Sequence, residues 1–229
     1  MQALTAFFAG FLPHHVSDGT VLAFLRFFSF PVPRKKRDLH REQNLAQWDR
    51  RWDQAVEEGL IERQSLLSGM VLGNTGAEIN SCEVIALHNV LLALRDPEAL
   101  SLGRGLFPAL LEECEAGGLA LGGAFGTAPA KLLARLRAKG YTYEFLYGKK
   151  LTEEALAEAE RDCRAFLVTV YNDRDNVMAM IHTMSITREK NGFRVSNGGL
   201  RGQSFPSLTE AVHAPGHGKG RPISLICVK

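Results

Sequence analysis

In the stretch NSCEVIALHNVLLAL, residues 80–94, a cysteine stands at the start of a long apolar segment. The segment follows a loop rich in Gly and Asn, which predicts a helix that begins near Ser81 and ends near Leu94, before Arg95-Asp96-Pro97. Unpaired N–H groups and partial positive charge at a helix N-terminus lower the pKa of a nearby thiol. We therefore expect Cys82 to form a reactive thiolate.

Two polar residues downstream complete a possible catalytic set with this cysteine. The stretch MIHTMSI, residues 180–186, is typical of a buried strand that carries His182, and NGFRVSNG, residues 191–198, is typical of a turn and a short strand that ends at Asn197. The chain order of cysteine, histidine and asparagine suggests a nucleophile, its base and the group that orients the base.

Around these segments the hydrophobic periodicity changes from helical to alternating. Helices are predicted at residues 39–64, 81–94, 106–116 and 129–139, from residue 152 onward, and at 207–212. Strands are predicted at residues 141–146, 165–171, 177–187, 193–196 and 223–228, with a hairpin turn at 172–176. A run of helices followed by an antiparallel meander indicates an α+β fold.

The order of these segments resembles the papain-like cysteine peptidase fold, in particular the bacterial branch that includes the bacteriocin-processing peptidases. The matching segments are NSCE at 80–83, FLVTV at 166–170, IHTMSI at 181–186 and GFRVSN at 192–197, so the resemblance covers roughly residues 74–229. It implies an N-terminal helical half with Cys82, an antiparallel sheet with His182 and Asn197, and an active site in the cleft between them.

One position departs from the pattern of that family. Such peptidases usually carry a glutamine six residues before the cysteine, where its amide donates to the oxyanion, but here that position is Gly76. The expected donors are then Asn80 or Asn74 together with the main-chain N–H of Cys82, and impaired oxyanion stabilisation is the alternative. One donor of this kind is typically worth ~3 kcal/mol.

The composition limits the possible functions. With 229 residues, 45% of them hydrophobic, the chain can form a sizeable core, and its net charge of +2 is too small to indicate a nucleic-acid partner. The cysteines lie far apart at Cys82, Cys114, Cys163 and Cys227. This spacing favours free thiols in a reducing compartment over a zinc site or a disulfide scaffold. The loop at 213–220 is interpreted as solvated, so no metal and no cofactor are predicted.

The N-terminal region differs in composition from the rest. Residues 1–38 are expected to form an apolar and basic arm, and residues 39–229 the α+β domain with a catalytic core of about 74–229. The arm carries seven phenylalanines and the run Arg34-Lys35-Lys36-Arg37, which could mediate a homo-oligomer or act as a solvated linker. No run reaches the ~18 apolar residues of a transmembrane segment. A cytoplasmic location is expected, with secretion as the alternative.

Together these observations predict a cysteine-dependent hydrolase that cleaves a peptide or amide bond of a peptide or protein substrate through an acyl-thioester. An acyltransferase, including a transglutaminase-type enzyme, would use the same residues but resolve the thioester with an amine instead of water, and the sequence leaves both open. A third hypothesis is a catalytically degenerate binding module, in which Cys82 is an ordinary buried thiol.

Overall fold

The computed structural model describes residues 18–172, 181–200, 203–215 and 220–229. Its helices are α1 (Asp18–Phe27), α2 (Arg34–Ala55), α3 (Ala77–Asn80), α4 (Cys82–Ala93), α5 (Pro97–Leu102), α6 (Leu106–Gly117), α7 (Pro129–Ala138), α8 (Glu153–Asp162) and α9 (Leu208–His213). Its strands are β1 (Ser29–Phe30), β2 (Val56–Glu57), β3 (Leu60–Ile61), β4 (Val71–Leu72), β5 (Thr75–Gly76), β6 (Leu119–Ala120), β7 (Tyr143–Tyr147), β8 (Ala165–Tyr171), β9 (Ile181–Glu189), β10 (Gly192–Ser196), β11 (Ser204–Phe205) and β12 (Arg221–Val228). The expectations for residues 1–17, for the hairpin turn beyond Asn172 and for residues 216–219 lie outside the described residues.

A central antiparallel sheet and helices on both of its faces make the fold α+β, as the sequence indicates. Six strands pair in the order β11-β10-β9-β8-β12-β7. Helix α4 packs against β8 and β9, on the face that carries Leu167. Helices α8 and α9 cover the opposite face, which carries Phe166 and Met184. Because side chains alternate along a strand, Thr183 and Ser185 of β9 belong to the α4 face.

Helix α4 is the central helix of the helical half and matches the predicted span of 81–94 to within one residue. All residues from Cys82 to Leu91 are buried, because the sheet covers one side of the helix and α6 packs on another. A helix that is buried all round is apolar all round. Its polar exceptions, Glu83, His88 and Asn89, are therefore the residues whose presence needs a separate physical reason.

The second helix begins and ends earlier than the sequence predicts. Instead of 39–64, α2 spans Arg34–Ala55 with Pro33 as its N-cap, so the basic run forms its first turn. The helix ends because the chain reverses in a tight hairpin in which Val56 pairs with Ile61. The two turn residues, Glu58 and Gly59, have φ values of 52° and 85°, the left-handed pair that two-residue hairpins favour.

The expected boundary at residue 38 falls inside α2. Strand β1 pairs with β6, and the side chains of Leu25 and Val32 are only 3% and 8% exposed. The part of the predicted arm from residue 18 onward therefore packs as an integral piece of the helical half. None of the described helices has both the length and the apolar character that crossing a membrane requires.

Three asparagine side chains hold the connection between α2 and α3. Asn44 of α2 accepts from the Val71 N–H at 2.7 Å and donates to the Val71 carbonyl at 2.9 Å. Asn89 of α4 does the same for Ile61, at 2.8 Å and 3.1 Å. Asn197 accepts from the Gln64 N–H at 3.1 Å. Buried main-chain groups need hydrogen-bond partners. Here the asparagine side chains supply the partners that a neighbouring strand would otherwise provide. We refer to residues 61–71 as the clamped segment.

Candidate active site

Cys82 is the first residue of α4 and lies where this helix meets the start of β9. Its side chain is buried, and the main-chain N–H of Thr183 donates to its sulfur. Two turns further along α4, Asn89 donates to the Ser185 hydroxyl at 3.0 Å. Helix α4 and strand β9 therefore lie side by side from Cys82 onward. Cys82 therefore touches the residue that directly follows His182.

The side chain in hydrogen-bond contact with the thiol is the neighbouring carboxyl group. Cys82 Sγ lies 3.3 Å from Glu83 Oε2. Burial raises the pKa of the Glu83 carboxyl to about 7, against the opposing effect of main-chain N–H groups at Glu83 and Thr127. Burial and the nearby Glu83 charge raise the pKa of the Cys82 thiol well above its ordinary value. The expectation of a resting thiolate is thus wrong, because desolvation outweighs the helix N-terminus.

His182 is held by the main chain of Asn197. Its Nε2 lies 2.6 Å from the Asn197 carbonyl oxygen, and because a carbonyl only accepts, Nε2 carries the proton and Nδ1 keeps its lone pair. Burial lowers the pKa of His182, so the ring is neutral at pH 7. The described hydrogen bonds include none between His182 and Cys82.

Asn197 orients the histidine differently from the way the sequence suggests. Its φ of 64° places it in the left-handed region, which asparagine tolerates better than most residues. The side-chain amide turns to Gln64, donating to Oε1 at 3.1 Å, and only the carbonyl faces the imidazole. Asn197 does contact His182, as the sequence suggests, but it does so through its main-chain carbonyl oxygen and not through its side chain.

The predicted oxyanion donors are engaged elsewhere. The Asn80 amide donates to the carbonyl oxygens of Leu72, at 3.3 Å, and Gly123, and to the Thr75 hydroxyl. Asn74 accepts from Lys36 through its side chain. The NH2 group of Asn80 therefore joins the loops around β4 and β5, whereas Asn74 uses only its side-chain oxygen in the contact with Lys36. The main-chain N–H at Thr183 is the donor that the structure does place on the sulfur.

Glu83 and Gly126 are the site residues that the sequence did not single out for chemistry. A negative residue in the first turn of a helix already has an explanation in the helix dipole, which concealed the contact with the thiol. Gly126 approaches from the loop before α7, and this long-range contact leaves no local pattern. Its only sequence signal is the unusual density of glycines at 117–126.

Gly126 leaves no room for a side chain. It has a φ of +62°, and a Cβ would lie 2.9 Å from the Asn80 carbonyl oxygen and still closer to Glu83 Oε2. We expect Gly126→Ala to lower the free energy of unfolding by about 2 kcal/mol in urea denaturation, through backbone strain and overpacking. Gly140→Ala is the matched control, because Gly140 has a φ of +82° with nothing within 4 Å of the added Cβ. Equal losses in the two variants would contradict the close approach.

Comparison with known proteins identifies no relative of this chain. No protein-family model, curated protein or solved structure matches the chain. Within the described ranges, no group of three or more His, Cys, Asp and Glu side chains is arranged to hold a metal ion. The site must therefore be interpreted from its own residues, which are a thiol, a carboxyl group that titrates near neutrality and an imidazole of defined tautomer.

Proposed function

We propose that this protein is a cysteine-dependent hydrolase of peptide or amide bonds, with Cys82 as the nucleophile in a papain-like arrangement. The observation that carries the proposal is the thiol at the start of α4, 3.3 Å from the Glu83 carboxyl and in contact with the residue that follows His182. Perturbed titratable groups concentrated at one place are typical of active sites.

Two groups can take the thiol proton. Glu83 is about half ionised at neutral pH, given its pKa of about 7, and it touches the sulfur. His182 is neutral, and its hydrogen bond to Asn197 leaves Nδ1 as the basic atom. A base with a pKa near the working pH is the most effective proton acceptor, so Glu83 is the base of the resting geometry. His182 can act as the base only if its side chain and that of Cys82 move towards each other.

The reaction then has two balanced steps. The sulfur bonds to the carbonyl carbon while the thiol proton passes to the base, and the base returns that proton to the leaving amine as the C–N bond breaks. Water next attacks the acyl carbon of the thioester and gives one proton to the base. The C–S bond then breaks, the carboxylic acid leaves, and the base returns its proton to the Cys82 sulfur. Because the resting thiol is protonated, proton removal accompanies attack instead of preceding it.

A binding module without catalysis is the second candidate, and one observation favours it. The NH2 group of Asn80, one of the side chains expected to stabilise the oxyanion, donates to loop carbonyl oxygens instead. A site without such a donor loses ~3 kcal/mol of transition-state stabilisation. In this hypothesis Cys82 and Glu83 form a buried pair that only packs the N-terminus of α4.

Alkylation of Cys82 distinguishes the two. Iodoacetamide labelling at pH 7.5, followed by peptide mass spectrometry, compares the wild type with Glu83→Gln and His182→Ala. For a hydrolase we expect at least one variant to slow the labelling of Cys82 about tenfold or more, because a positioned base contributes on that scale. Cys114 is the internal control, since burial raises the pKa of its thiol to about 12.

Hydrolysis itself is tested with a mixture of unrelated peptides. New peptide ends should appear with the wild type and with Cys114→Ala, but not with Cys82→Ala. Three results together overturn the hydrolase proposal and leave the binding module. Cys82 is labelled no faster than Cys114, neither variant changes the rate of Cys82 labelling, and no peptide is cleaved.

A further inference from the structure

A cleft between α6 and α7 lies behind the Cys82 site, and neither Cys82 nor His182 lines it. Its volume is about 280 Å³. The floor is made of three leucines, Leu87, Leu110 and Leu132, all of them buried. At its mouth, Gly117 and Ala134 are exposed, so the cleft opens to solvent. An apolar floor reached from solvent is the usual form of a small-molecule site.

The charges at the rim are not balanced. Glu113 Oε2 lies 2.8 Å from Arg135 Nε, and Arg135 NH2 lies 3.3 Å from Glu98, so this arginine is compensated twice. Lys131 also lines the cleft, and across the described part of the chain no carboxylate forms an ion pair with it. The rim therefore offers one ammonium group next to an apolar floor.

We propose that this cleft binds a small amphipathic carboxylate, with its aliphatic chain on the leucine floor and its carboxylate at Lys131. At ~30 Å³ for each water-sized group, the cleft has room for about ten such groups, which suits an acid of medium chain length such as octanoate. An ammonium beside apolar surface selects an anion with an apolar body over a cation of the same shape.

The cleft also adjoins the Cys82 site from behind. Leu87 lies one helical turn after Glu83 on the same side of α4. The thiol of Cys114, which lines the cleft, lies beside the Thr127 hydroxyl, and the Thr127 N–H donates to Glu83. The proposal does not depend on the hydrolase, because ligand binding is measured without any reaction.

The test is titration calorimetry of the full-length protein with octanoate, octanol and octylamine. For the wild type we expect saturable octanoate binding and weaker binding of octylamine. Lys131→Gln should weaken octanoate at least fivefold and leave octanol unchanged. Lys149→Gln is the control, because Lys149 is exposed and outside the cleft, and it should change neither.

A second pair of variants tests the location. Nothing lies within 4 Å of an added Cβ at either Gly117 or Gly105, so both positions have open space at Cβ, but only Gly117 lines the cleft. Gly117→Phe should weaken octanoate and octanol at least tenfold, and Gly105→Phe should weaken neither. The proposal is overturned if octanoate shows no saturable binding at millimolar concentration, if Lys131→Gln has no effect, or if the two Phe variants behave alike.

Discussion

Replacing Asn89 with alanine is expected to lower the free energy of unfolding by about 4 kcal/mol. Its amide satisfies the main-chain N–H and carbonyl of Ile61 at 2.8 Å and 3.1 Å and also donates to Ser185 at 3.0 Å. Both Asn89 and Ile61 are fully buried, so no solvent replaces these partners. Each orphaned buried polar group costs about 1–3 kcal/mol, and three are left at once.

Urea denaturation at pH 7 measures this loss. Asn89→Leu should be nearly as damaging as Asn89→Ala, because the leucine fills the volume but offers Ile61 no hydrogen bond. Asn191→Ala is the control at an exposed asparagine and should change stability by less than about 0.5 kcal/mol. A loss below about 1 kcal/mol for Asn89→Ala would mean that the clamped segment does not need this amide.

Glu83→Gln and His88→Gln are expected to change the pH dependence of stability in opposite directions. Burial raises the pKa of Glu83 from 4.5 to about 7, so the folded state loses stability as the pH rises from 4.5 to 7. Burial lowers the pKa of His88 from 6.5 to about 4, so the folded state loses stability as the pH falls from 6.5 to 4. Each shift corresponds to about 3 kcal/mol.

In the wild type the two effects oppose each other between pH 4.5 and 6.5. The difference in unfolding free energy between a variant and the wild type reports only the substituted group. It therefore removes the contribution of His182, whose lowered pKa acts in the same direction as that of His88. Glu83→Gln should gain stability relative to the wild type with rising pH, and His88→Gln with falling pH.

The exposed His213 supplies the control for this pair. His213→Gln makes the same type of substitution at a surface histidine and serves as the substitution control. Urea denaturation from pH 4 to pH 8 provides the data. Parallel profiles for Glu83→Gln and His88→Gln would show that neither residue titrates differently in the folded and unfolded states.

The long periodic elements were predictable because their signals are local. The apolar run after Cys82 defines α4, and the short apolar and β-branched runs at 165–171 and 181–187 define the paired strands β8 and β9. The ends of α2 were not predicted, because hydrophobic spacing continues past Ala55 while the Glu58-Gly59 turn decides where the helix stops. A two-residue turn without Asn-Gly or Asp-Gly gives little warning.

The sequence pointed to Cys82, His182 and Asn197, but neither the contact of Glu83 with the thiol nor the hydrogen bonds of the site were predictable. Chain order indicated Cys82, His182 and Asn197, and Cys82 does lie beside the strand that carries His182. The exchange of the Asn197 side chain for its carbonyl depends on a left-handed φ and on Gln64, which is far away in sequence. The raised pKa of Cys82 depends on burial in the folded protein and on the Glu83 charge, and no local motif reports burial.

The clamped segment connects the helical half to the sheet through hydrogen bonds of three asparagine side chains. Asn44 belongs to α2, Asn89 to α4, and Asn197 follows β10, so opening residues 61–71 breaks bonds to the helical half and to the sheet together. Opening one half alone therefore breaks some of these directional bonds, which raises the cost of partial opening. We therefore expect the helical half and the sheet to unfold as one cooperative unit, because residues 61–71 are bonded to both.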